Sequence, residues 1–167
     1  VMIPPVGGNT LFANQHAALD AMPADLRCHL EGQIAIHSAR GGYSLAGFYG
    51  ERENESDRSM DIRPSDTALA TQLHPIIRNH PETGRLGLFS CIGCMSGIEG
   101  WSDDDAHQLL AELYEWQTRD VGVYRDIWQH DMMIMWDNRC SMHARTDFDP
   151  NERRMLRRIT VKGEAVI

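Results

Sequence analysis

The chain lacks any run approaching the 18 or more apolar residues that cross a bilayer as a helix, and its start shows no signal-peptide pattern. A cytoplasmic protein with no membrane partner is expected. It also lacks an excess of basic residues. Lys and Arg total 16 against 24 Asp and Glu, a formal charge of -8. Nucleic-acid surfaces need clustered Lys and Arg, so no nucleic-acid partner is expected. Only Arg153, Arg154, Arg157 and Arg158 form a locally basic segment. HExxH, a Walker loop, GxGxxG and GxSxG are all missing, and the serine context "GCMSG" has the wrong spacing for a nucleophile elbow. Cysteine is scarce, at positions 28, 91, 94 and 140. "CIGC", 91–94, has redox or metal spacing. A zinc site wants a second close pair, however, and Cys28 and Cys140 are isolated. The favoured reading of Cys91 and Cys94 is small thiols that are buried or line a pocket.

What is present suits one soluble domain. The 167 residues are 42% hydrophobic and 24% charged, enough to bury a core. "TLFA" at 10–13 and "QIAIH" at 33–37 read as strands, with two short helices between them broken at Pro23 and stopped at Gly32. The Gly-rich and then charged stretch 38–66 reads as a lid-like or surface loop. Leu86–Ser90 reads as a strand after the "PETG" turn. "SDDDAHQLLAELYEWQTR", 102–119, is a helix with Ser102 as N-cap and one face of Leu109, Leu110, Leu113 and Trp116. "VGVYRDIW", "DMMIMWD" and "LRRITVKG" read as strands. Closely spaced strands with flanking helices point to a mainly β barrel or jelly roll rather than βαβ units.

Candidate chemistry gathers near the C-terminus. Most of the eight histidines sit in neutral contexts, including His74 and His80 before prolines, His107 on the long helix, and His29 and His37 at a turn. His143 differs, because Arg154 follows after ten residues and Arg158 soon after that. On a strand, Arg154, Leu156 and Arg158 would share one face by period two. Two arginines there would suit a carboxylate or sulfonate bound bidentately. An ion-paired surface strand beside Asp147, Asp149 and Glu152 fits the residues equally well.

"PPVGGNTLFAN", "HPETGRLGLF" and "MWDNRCSMHARTDFDPNERRMLRRITV" resemble the taurine dioxygenase / 2,4-dichlorophenoxyacetate dioxygenase family, from Ile3 to about Gly163. In the tail "EAVI" the likeness leans to the phenoxyacetate branch. The resemblance implies a double-stranded β-helix (a cupin-like jelly roll) and an Fe(II)- and 2-oxoglutarate-dependent dioxygenase. It would hydroxylate a small organic acid with O2, giving succinate and CO2. It implies His143 as the distal iron ligand. Arg154 and Thr10 would hold the far carboxylate of 2-oxoglutarate, and Arg158 would lie near both that carboxylate and the acidic group of the substrate. Asp137 and Asn138 take structural roles at the strand end. "CIGCMSG", 91–97, is expected on the substrate side, where its small, soft residues favour an aryloxy or alkyl acid.

One departure matters. The family's other two ligands form H-x-D, and no H-x-D occurs in this chain. The imitations His29-Leu30-Glu31 and His80-Pro81-Glu82 stand in the wrong places. A facial triad needs all three ligands. The chain is therefore expected to be the C-terminal portion of a longer enzyme, residues 1–167 forming part of one domain, inactive alone and homo-oligomeric when complete. The alternative reading is a non-catalytic anion-binding β-barrel, or an inactive fragment without a complete iron site.

Overall fold

A computed structural model describes residues 2–50 and 62–163. The chain runs β1 (Thr10–Asn14), α1 (Gln15–Asp20), α2 (Ala24–Leu30), β2 (Ile34–Ser38), α3 (Arg40–Tyr43), β3 (Thr71–Pro75), β4 (Ile77–Asn79), β5 (Leu86–Leu88), β6 (Met95–Ile98), α4 (Asp103–Gln117), β7 (Val123–Asp126) and β8 (Ser141–Arg145). Local chemistry sets many of these boundaries. The Asn14 side chain accepts from the His16 and Ala17 amides and starts α1. Pro23 precedes α2, and Gly32 leaves it at φ 75°, a conformation that glycine adopts without strain. Ser102 caps α4 by accepting from the Asp105 amide, with three aspartates in the first turn at the positive end of the helix.

The strands form three antiparallel sheets, ordered β7-β1-β8, β3-β2-β6 and β4-β5. The core lies between α1, α2, α4 and the second and third sheets, with Leu19, Leu30, Ile76, Leu88 and Leu113 almost wholly enclosed. Leu109, Leu110 and Leu113 are buried, and Trp116 packs on the same cluster, so the periodic face of α4 is core. The buried Gln117 amide donates to Gln15 Oε1 and Ser90 Oγ, and Trp116 Nε1 donates to the Ala18 carbonyl at 2.8 Å. These bonds tie α4 to the first helix and to the end of β5.

Two expected strands are not formed. Residues 132–136 and 156–163 join no sheet, although the first keeps the period of a strand. Met133 and Met135 are 89% and 88% exposed, while Ile134 and Trp136 are partly covered. A strand is a paired structure, and no edge among the described residues pairs with these segments. Met155 alone makes an isolated bridge, to Met2. Cys91 and Cys94, expected to be buried or pocket-lining, are exposed. The lid-like loop is described only at its two ends, where α3 and a short 3-10 turn at Asp66–Leu69 lie. Its centre, 51–61, and the "EAVI" tail lie outside the described residues.

Candidate functional site

The sheet β7-β1-β8 assembles the site. In its register Thr10 lies opposite Asp126 on one side and Arg145 on the other, and Phe12 lies opposite Tyr124 and His143. Directly opposed residues of an antiparallel ladder project to the same face. Thr10, Phe12, Tyr124, Asp126, His143 and Arg145 therefore share one face. The neighbouring positions Leu11, Ala13, Met142 and Ala144 take the other. Trp128 Nε1 donates to Thr10 Oγ1 at 2.9 Å. Because the buried Thr10 hydroxyl accepts there, its own proton is free to be donated elsewhere.

"GGNT" and the C-terminal arginines, some 140 positions apart, meet here. Met2 and Met155 exchange backbone hydrogen bonds of 2.8 and 2.9 Å. Asn9 and Thr146 bond reciprocally, amide to hydroxyl and amide to carbonyl, each at 2.9 Å. The Gly8 amide donates to the Asp147 carbonyl at 3.1 Å. Gly7 and Gly8 both have positive φ, and a Cβ on Gly7 would overlap that Asp147 carbonyl. A Cβ on Gly8 would meet Arg154 Cδ at 3.0 Å. The paired glycines thus open the groove in which Arg154 lies, its Nε donating to the Gly8 carbonyl at 2.7 Å. That bond fixes the guanidinium. Among the described residues its terminal nitrogens have no protein acceptor.

Burial, and then the nearby Arg145 charge, lower the Arg154 pKa. A guanidinium disfavoured by burial and by a second positive charge is stabilised by a bound anion. Arg158 is exposed, and its charge reaches His143. The His143 ring packs 5.1 Å from Trp136 and 6.4 Å from Phe12. That partial cover, followed by the Arg158 charge, holds the imidazole below its ordinary pKa. The lowered pKa favours the neutral imidazole, the form that ligates a metal.

Among the described residues one group of three side chains has metal-ligating chemistry: His80, Asp137 and Cys140, with ligand atoms within 4.8 Å of one another. It does not include His143, and it is already satisfied. Asp137 accepts from Arg139 Nε at 2.9 and 3.0 Å and from Arg139 Nη2 at 2.6 Å, and its Oδ2 lies 3.1 Å from His80 Nε2. Arg139 Nη1 also reaches Glu82 at 2.8 Å. These bonds hold the Asp137 carboxyl well below the usual carboxylate range. Burial, then the Asp137 charge, push the Cys140 thiol up, away from the thiolate a metal wants. A guanidinium seated on the carboxylate opposes a second cation. The group is a brace joining "HPETGR" to "WDNR", and Asn138 completes the turn by accepting from Trp136 Nε1 at 2.8 Å. Of the two H-x-E imitations, His80 and Glu82 belong to this brace. His29 and Glu31 sit at the end of α2, where Glu31 pairs with Arg27 at 3.2 Å.

As a fit to iron the described residues therefore offer one imidazole, His143, and a facial triad needs two further ligands. As a fit to a dicarboxylate they offer Thr10 and Arg154 in one place. "CIGCMSG" shares no sheet with His143, since β6 pairs with β2. Three residues of the site face are not evident from the sequence alone. Arg145, two positions after His143 on β8, was accessible through the period of a strand. Asp126 and Trp128 needed the register. Asp126 is 5% exposed with Oδ2 unpartnered among the described residues, and its other oxygen lies 3.4 Å from the Tyr124 hydroxyl.

Comparison with known proteins gives a consistent picture. The profile of the family "Taurine catabolism dioxygenase TauD, TfdA family" matches residues 1–160. An alpha-ketoglutarate-dependent 2,4-dichlorophenoxyacetate dioxygenase from Cupriavidus pinatubonensis is 39% identical over 168 residues, covering 100% of this chain and 54% of that protein. An (S)-phenoxypropionate/alpha-ketoglutarate-dioxygenase from Sphingobium herbicidovorans is 29% identical, covering 98% and 55%. A crystal structure of AAD-2 in complex with Mn(II) and N-oxalylglycine superimposes with TM-score 0.70 at 26% identity, covering 90% of this chain and 56% of that one. The chain thus spans about half the length of the curated relatives it matches.

Proposed function

This chain belongs to the taurine catabolism dioxygenase TauD, TfdA family, and from that premise we propose that it forms the 2-oxoglutarate-binding part of an Fe(II)-dependent dioxygenase acting on a small aryloxy or alkyl acid. When bound, Fe(II) and 2-oxoglutarate supply O2 activation with decarboxylation to succinate and CO2, and hydroxylation of a substrate C–H bond. Within this reading the three sheets are parts of a double-stranded β-helix. What supports it is that β1 and β8 set Thr10 and His143 on one sheet face, and that Arg154 bonds to Gly8, two residues before Thr10, from a segment far away in sequence.

Each side chain has a task. Arg154, fixed through Nε, turns its free nitrogens to the far carboxylate of 2-oxoglutarate, and the Thr10 hydroxyl donates its proton to the same group. Trp128 orients that hydroxyl. His143 supplies one neutral imidazole to the metal, with the remaining ligands coming from outside the described residues. Arg158, exposed beside His143, receives the acidic group of the substrate. The 2,4-dichlorophenoxyacetate and (S)-phenoxypropionate activities of the relatives support an aryloxyalkanoate.

The test is succinate formation by the full-length enzyme supplied with Fe(II), 2-oxoglutarate and a panel of aryloxyalkanoates and alkyl sulfonates. Substrate-dependent succinate from an aryloxyalkanoate is expected. Consumption of 2-oxoglutarate that no panel acid stimulates would overturn the substrate assignment. The single imidazole favours one competing reading, an anion-binding barrel without iron. Metal analysis separates the two, because that reading requires no bound iron in the full-length protein.

A further inference from the structure

The "CIGC" turn plays no part in the proposed dioxygenase site. It leads from β5 into β6, and its two cysteines are exposed. The Cys94 amide donates to the Cys91 carbonyl at 2.8 Å and the Met95 amide to the same carbonyl at 3.0 Å. A turn closed from residue i to i+3 brings its end Cα atoms within about 7 Å, overlapping the roughly 4.4–6.8 Å that a disulfide spans. The two thiols lie near enough for each to shift the ionisation of the other. The Gly93 and Cys94 amides add to the environment that favours the Cys91 thiolate. The turn is anchored at its end, where the Cys94 carbonyl accepts from the Ser38 amide at 2.7 Å and Met95 opens β6.

We propose that Cys91 and Cys94 are a dithiol that a hydroperoxide converts reversibly to an intramolecular disulfide, with Cys91 as the attacking sulfur and Cys94 as the resolving one. The Cys91 thiolate attacks one peroxide oxygen, breaking the O–O bond to give Cys91 sulfenic acid and hydroxide. Cys94 then loses its proton, its sulfur displaces the sulfenic oxygen as water, and the S–S bond forms. Two thiols lose two electrons and two protons, and hydrogen peroxide becomes two waters. A small dithiol reverses the reaction by exchange through a mixed disulfide. The donors around Cys91 decide which sulfur attacks. The Cys94 thiol and the two backbone amides stabilise its thiolate and bring its pKa down to about 6, while the adjacent Cys91 pushes Cys94 up. Cys28, exposed and without such a partner, serves as an internal comparison.

The experiment treats the intact protein with hydrogen peroxide near stoichiometry, then counts free thiols and maps peptides by mass spectrometry. The expected result is loss of two thiols and a Cys91–Cys94 crosslink, both restored by dithiothreitol. In C94S, dimedone should trap a sulfenic acid at Cys91, whereas C91S should give no crosslink. Before oxidation, alkylation by iodoacetamide at pH 7 should be about 10-fold faster at Cys91 than at Cys28. Oxidation that leaves both thiols free would overturn the proposal. So would a crosslink formed only between molecules, or equal alkylation rates at Cys91 and Cys28. These readouts do not depend on dioxygenase turnover.

Discussion

At the scale of single residues, Arg154 is placed by its backbone contact to Gly8, and in the proposed function its terminal nitrogens hold the far carboxylate of 2-oxoglutarate. Arg154→Ala in the complete enzyme should raise the KM for 2-oxoglutarate about 10- to 100-fold, the worth of a charge-assisted hydrogen bond to a carboxylate. kcat should fall less, and succinate production across a 2-oxoglutarate titration reads both. An unchanged KM would remove Arg154 from the role. His37 makes a different residue-scale prediction. Its ring stacks on Phe89 at 5.4 Å and meets His74 edge-on at 5.1 Å, with Arg78 over the same phenyl ring at 4.1 Å. Burial first, then the charges of His74 and Arg78, lower its pKa to about 4. A base depressed on folding binds its proton more readily in the unfolded chain. Stability is therefore full above the unfolded value near 6.5 and is lost as pH falls from there to about 4, on the order of 3 kcal/mol for this group. The melting temperature should drop over that window, and His37→Gln should flatten part of the drop. His74, also lowered by burial and Arg78, retains the remainder.

At the scale of elements, the sequence marks where the helices stand. Ser102 followed by three aspartates and a 3.6-residue apolar period could only open an amphipathic helix, and α4 starts at Asp103 as those residues require. Ser102→Ala should cost about 1 kcal/mol of stability, and Leu113→Ala, at 1% exposed, about 2–5 kcal/mol. Chemical denaturation of the two variants checks the order. The β elements were less legible. "VGVYRDIW" and "DMMIMWD" both read as strands, yet only the first supplied one, because β1 offers it an edge. The "GGNT" bend is the element on which the site depends. Gly7→Ala, strained at φ 78° and overlapping the Asp147 carbonyl, should displace β1 from the C-terminal segment. It should weaken 2-oxoglutarate binding although residue 7 touches no ligand. Binding unaffected in a folded Gly7→Ala protein would contradict this.

At the scale of the whole molecule, the described residues hold three sheets, one braced loop pair and two segments that join no ladder. Ile159 and Val161 are 91% and 83% exposed, like Met133 and Met135. Amides of 132–136 and 156–163 lie outside any ladder and should exchange with deuterium far faster than those of β1, which is bonded on both sides. Hydrogen exchange on this 167-residue chain tests that directly, and slow exchange in those segments would mean that a partner strand covers them. The sequence by itself determined α1, α2 and α4, the Ser102 cap, β1, β2, β5 and β7, because caps and periods are local, whereas α3 lay inside the stretch read as a loop. Its family motifs also pointed to Thr10, His143, Arg154 and Arg158. Only the tertiary structure decided that "GGNT" and the C-terminal arginines meet, since a Met2–Met155 bridge and two positive-φ glycines do that work across the length of the chain. It alone set Asp126 on the sheet face of Thr10 and Trp128 against Thr10, because register between strands and a bond across the chain are not local. It alone joined His80, Asp137 and Arg139 in one ion-paired brace, with the Arg139 guanidinium on the carboxylate a metal would need.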